Sequence, residues 1–100
     1  MKVNYAYNIP DELIDYAAKH DVRDELYLRD TGGGFDYITK SFVDGREAFI
    51  YDTEAGDSSP DDIDCPATLV ICTDDEWSEN IAEIEFWTAQ DAIDAMIGLR

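Results

Sequence analysis

At 100 residues the chain has room for one domain around one core, and its 45% apolar content with twelve aromatic residues excludes a disordered acidic tail. Twenty-four Asp and Glu stand against seven Lys and Arg, a net charge of −17 that excludes attraction to free nucleic acid or to anionic lipid. There is neither a basic segment followed by an apolar run nor a stretch of bilayer-spanning length, so a cytoplasmic location and no membrane partner are expected.

Residues 3–7 alternate large apolar with small or polar side chains, the pattern of a half-buried strand. Asn8 fits a helix N-cap, with Pro10 in the first turn where a missing N–H costs nothing. The helix is expected to run to about His20, turning Leu13, Ile14, Ala17 and Ala18 to one side, with Asp11, Glu12 and Asp15 on its early turns. After a polar connection, Glu25 to Arg29 reads as a strand, with a short helix from Asp21 as the rival reading.

Thr31 to Gly34 is a glycine-rich turn, and Phe35 to Val43 the next strand. Asp44-Gly45 stands where a two-residue type I′ hairpin turn wants it, with a return strand over Arg46 to Asp52. Thr53 to Pro66 shows no periodicity and reads as a long exposed loop. Ala67 to Thr73, β-branched and apolar, suits a strand inside the sheet. Asp74 to Asn80 is a second acidic turn around Trp77. Ile81 to Trp87 follows as a strand with Ala82, Ile84 and Phe86 on a core face and Ile81, Glu83, Glu85 and Trp87 on the other. Thr88 with Asp91 makes a capping pair for a short closing helix that buries Ala92, Ile93, Met96 and Ile97 and stops at Gly98. The whole is an α+β domain, residues 1–100, with a mostly antiparallel sheet of about five strands and two short helices on one face.

Motifs of catalysis are weak. Asp30-Thr31-Gly32 resembles the signature of retroviral-type aspartic proteases, but Arg29 breaks the apolar run before it and two further glycines follow, so a turn accounts for it. The same glycines lack the Lys and Ser/Thr of a phosphate loop. The 57–64 segment has oxygen ligands but neither the Gly nor the terminal Glu of a calcium loop. His20 suits the end of a helix, and no Ser or Cys stands in a nucleophile motif. Cys65 and Cys72 match no zinc or redox spacing and read as free thiols, their pairing left open. No catalytic residue, metal centre or cofactor is expected.

What calls for explanation is the distribution of charge. Residues 1–50 hold ten acids against six bases; residues 51–100 hold fourteen acids against Arg100 alone, so −4 and −13 make up the −17. Crowded like charge opposes folding, so either a basic partner or a salty solvent accounts for it. Salt adaptation fits sixteen Asp against eight Glu, but not the near balance of the first half. A basic partner fits better. Glu83 and Glu85 would point the same way about 7 Å apart, a spacing of the order of that between backbone phosphates. Acidic loops would extend the row, and tryptophans would anchor it. The expected contact residues are Asp61, Asp62 and Asp64; Asp74, Asp75, Glu76, Trp77 and Glu79; and Glu83, Glu85 and Trp87.

In size, acidity and lack of catalytic motifs the chain resembles the small counter-defence proteins of phages and plasmids, the anti-CRISPR and anti-restriction inhibitors. That resemblance is one of composition and covers no motif. It implies a stoichiometric, nucleic-acid-mimicking inhibitor whose partner is a basic nucleic-acid-binding enzyme; an immunity-like protein masking a basic toxin is the first alternative.

Overall fold

In the computed structural model, residues 9–31, 35–56 and 58–99 are described. Helix α1 spans Asp11–His20 because Leu13, Ile14 and Ala17 recur at helical spacing and are all buried. The expected strand over 3–7 and the expected cap Asn8 lie outside the described residues. The N-cap position belongs to Pro10, which is extended and supplies no side-chain cap. Its carbonyl accepts the Leu13 and Ile14 N–H groups at 3.0 and 3.2 Å. Proline disfavours helical backbone in the residue before it, so the helix cannot start at Asn8.

Five strands follow: β1 Leu26–Asp30, β2 Asp36–Ser41, β3 Glu47–Asp52, β4 Ala67–Cys72 and β5 Asn80–Phe86, then α2 Ala89–Gly98. They pair antiparallel in chain order, a meander in which β1 and β5 end the sheet among the described residues. Of the two readings for the segment after α1, the strand is the one formed. The Thr88 hydroxyl caps α2 by accepting the Asp91 N–H at 3.1 Å.

Register sorts the side chains into two faces. Leu26, Leu28, Ile38, Ala48, Ile50, Ala67 and Leu69 join Leu13, Ala17, Ile93 and Met96 in one core, which places both helices on the same face. On the opposite face a row runs across the sheet from Tyr27 through Thr39, Phe49 and Val70 to Glu83. Ile84, expected in the core, does lie beside Leu69 on the helical side but is 43% exposed. It sits on β5, which ends the sheet among the described residues.

Two loops depart from expectation. The β2–β3 hairpin closes with Gly45 N–H to the Phe42 carbonyl at 3.1 Å and Phe42 N–H to the Arg46 carbonyl at 2.9 Å. Gly45 alone has positive φ, +95°, whereas a type I′ turn needs it at Asp44 as well. The connection is thus a three-residue loop with a glycine bulge. The 53–66 segment is not a free loop either. Asp52 N–H reaches the Ser58 carbonyl at 2.7 Å, Thr53 N–H that of Pro66, and Gln90 N–H that of Ile63, both at 3.1 Å. The Ser59 hydroxyl donates to the Asp36 carbonyl at 2.8 Å, and Ser59 and Pro60 are buried. Both cysteines are free thiols, Cys72 buried and Cys65 half-buried.

Candidate functional site

Strand β5 carries the clearest part of the expected surface. Glu83 and Glu85 stand opposite Val70 and Thr68, on the face away from the helices, and both are exposed. Trp87, just past the strand, is 88% exposed. The Asn80 side-chain amide donates to Glu83 at 3.0 Å and steadies it.

The β4–β5 turn feeds directly into this strand. Asp74 builds it: its carboxylate accepts the Glu76 and Ser78 N–H groups at 3.0 and 3.2 Å. Those backbone donors, Ser78 foremost, hold the Asp74 carboxyl below the usual carboxylate range. Asp75, Glu76 and Glu79 are left exposed. At the other end of β5, Thr53 and Pro66 of the 53–66 segment border a surface cleft together with Glu85, Phe86 and Trp87. Asp61, Asp62 and Asp64 are exposed within that segment, and Asp62 spends one oxygen on the Asp64 N–H at 3.0 Å. Glu83, Glu85, Trp87 and the 74–79 turn thus share one border of the molecule, with the 61–64 acids on the loop that meets its far end.

Trp77 corrects the expectation of an exposed anchor. It is half-buried, its ring stacked on Phe49 with centroids 4.0 Å apart and edge-on to Tyr37 at 5.6 Å. The Arg29 guanidinium lies 5.1 Å from the same ring. The backbone at Trp77 has φ +55°, a left-handed conformation that costs a bulky residue about 1–2 kcal/mol. Burial of the indole on the sheet holds it there.

The centre of this packing is Glu47, which sequence reasoning passed over. Its side chain is 4% exposed and pairs with Arg29 at 2.8 Å. It also accepts from the Tyr27 hydroxyl, the Ser41 hydroxyl at 2.8 Å and the Trp77 indole N–H at 3.1 Å. Burial, and then the hydrogen bond to this carboxylate, push the Tyr27 hydroxyl up from its ordinary value. The signal was present in the alternation of β3, where Glu47, Phe49 and Tyr51 share a face. A lone carboxylate in an acidic chain did not mark itself as buried.

Ion pairing separates the two halves. The three ion pairs among the described residues join Arg29 to Glu47, Lys40 to Glu25 and Arg46 to Asp44. No carboxylate after Glu47 meets a cation among the described residues.

Asp30 is the last residue of β1, directly opposite Asp36, rather than part of a turn. Burial, and then the neighbouring Asp30 charge, raise the Asp36 carboxyl. The glycine of the protease-like triplet, Gly32, and the two that follow it lie outside the described residues. No group of three or more potential metal-ligating side chains gathers among the described residues, and no helix is long and apolar enough to cross a membrane. No protein-family model, curated protein or solved structure matches this chain.

Proposed function

We propose that this domain is a non-catalytic inhibitor that occupies the basic, nucleic-acid-binding surface of a target enzyme, in the manner of an anti-CRISPR or anti-restriction decoy. The observation that carries the reading is the unneutralised acidity of one border. Glu83 and Glu85 project together from β5, flanked by the 74–79 turn and Trp87, and none of these carboxylates is paired with a cation among the described residues. Self-repulsion of this kind is relieved when a Lys/Arg-lined surface docks against it. Trp87 adds the apolar, aromatic contact that a purely electrostatic encounter lacks.

The test is capture of a partner from host lysate at low and at high salt, followed by competition with nucleic acid. Capture should fall steeply with salt, since charges are screened beyond about 8–10 Å at physiological ionic strength. Glu83→Lys with Glu85→Lys should weaken it by about ten-fold or more, and Asp11→Lys with Asp15→Lys by far less. Capture indifferent to salt and to the β5 reversals overturns the proposal. A partner that nucleic acid fails to displace identifies toxin masking instead.

A further inference from the structure

We infer that the groove bordered by Tyr51, Trp77 and Glu83 receives a single cationic side chain, a guanidinium or alkylammonium, from the basic partner. This deepens the reading above and rests on it only for the identity of the protein that supplies the cation. The groove lies on the sheet face opposite the helices, has a volume of about 310 Å³, and is lined chiefly by Tyr37, Phe49, Tyr51, Val70, Trp77 and Glu83. Its volume is at the lower end of ligand pockets, which suits one side chain rather than a larger molecule.

Three observations select the charge of the occupant. Aromatic rings attract cations through their negative faces, and a carboxylate beside them adds a counter-charge. Glu83 is exposed, is held by the Asn80 amide at 3.0 Å, and has no cationic partner among the described residues. An anion would be repelled there, and an apolar ligand would cover the Glu83 charge without pairing it.

The same cluster already holds one cation. Arg29 lies over Trp77 at 5.1 Å while pairing with Glu47 at 2.8 Å. Ring and carboxylate together are thus satisfied from within the chain at one end of the cluster. At the other end, Tyr51 and Glu83 line the groove together, and no cation among the described residues meets them.

A Trp87→Phe background leaves Trp77 as the only tryptophan, so its emission reports on the groove. In that background, N-acetylarginine amide or tetramethylammonium is titrated at constant ionic strength against sodium chloride. A saturable change in emission at millimolar to tens of millimolar probe is expected, with none from sodium. Glu83→Gln should weaken it about three-fold or more, Tyr51→Ala likewise, and Glu12→Gln, on the exposed first turn of α1, should leave it unchanged. Glu83→Gln alters an exposed side chain, so its result stands even if Tyr51→Ala unfolds. No saturable response, or equal responses in Glu83→Gln and Glu12→Gln, overturns the inference. Salt-sensitive partner capture that survives such a failure leaves the decoy reading in place. A groove that takes the probes in a protein that captures no basic partner leaves the groove and removes the decoy.

Discussion

A buried carboxylate in a chain of charge −17 needs every one of its donors, and Glu47 has four: Arg29, Tyr27, Ser41 and Trp77. Glu47→Ala should cost about 3 kcal/mol, because breaking a buried pair strands its partners as well as losing its bonds. Denaturant unfolding measures the loss, and near-ultraviolet circular dichroism should lose the Trp77 signal with it. Asp21, also buried, accepts the Glu25 and Leu26 N–H groups at 3.0 and 2.9 Å and fixes the exit from α1. Burial pushes its carboxyl up, but the Leu26 and Glu25 donors outweigh it and the net shift is down. A depressed folded value means the unfolded state binds the proton first, so the contribution is complete above about pH 4 and lost as pH falls through the folded value. Asp21→Asn should therefore destabilise by about 1 kcal/mol at neutral pH, with the gap from wild type closing in acid. Melting curves across that range give the answer.

Among elements, those whose hydrophobic period agreed with local turn chemistry were legible. The β2–β3 hairpin, the two helices and the strand Ala67–Cys72 stand within a few residues of where pattern places them. The hairpin's turn type was not legible, because Asp-Gly serves both a two-residue I′ turn and a three-residue loop with a glycine bulge. Either way the +95° φ at Gly45 is required, and a Cβ there meets open space, so strain rather than collision is the cost. Gly45→Val should lose about 1 kcal/mol or more, read as a lowered melting temperature, and an unchanged one would mean that the turn does not need that backbone. The acidic stretch 53–66 concealed its anchors. Its anchors are the Gln90 N–H on the Ile63 carbonyl and the Ser59 hydroxyl on the Asp36 carbonyl, both tertiary, and Ser59 inside a polar run gives no periodic sign of burial. Trp77 failed for a related reason. Its place against Phe49 depends on a left-handed backbone that no residue preference for tryptophan announces. The exposed placement of Glu83 and Glu85 on the face away from the helices was legible from strand alternation alone.

Across the whole molecule, folding gathers acids that the unfolded chain spreads apart, so compactness itself is opposed by charge. Protonation of the raised Asp36 acts in the same sense: the folded state binds that proton more tightly, and its contribution fades as pH rises. At low salt, stability should therefore increase as pH falls toward the carboxylate range. The groups held low, Asp21, Asp44 and Asp74, reverse the trend only in stronger acid. Glu83→Lys with Glu85→Lys should raise the melting temperature at neutral pH, because relief of like-charge repulsion outweighs loss of the exposed Asn80–Glu83 hydrogen bond in the isolated domain. That result, beside a loss of partner capture in the same variant, would separate a surface kept for binding from one kept for folding. Salt then discriminates between a decoy and a salt-adapted domain. The core joining Leu13, Ile38, Ile50, Leu69, Ile93 and Met96 is apolar, and the acids after Glu47 lie mostly outside it. The isolated protein should accordingly remain folded by circular dichroism at about 0.01 M salt, where the Debye length reaches about 30 Å and repulsion is least screened. Unfolding below about 0.1 M would make solvent ions part of the native state and remove the need for a basic partner.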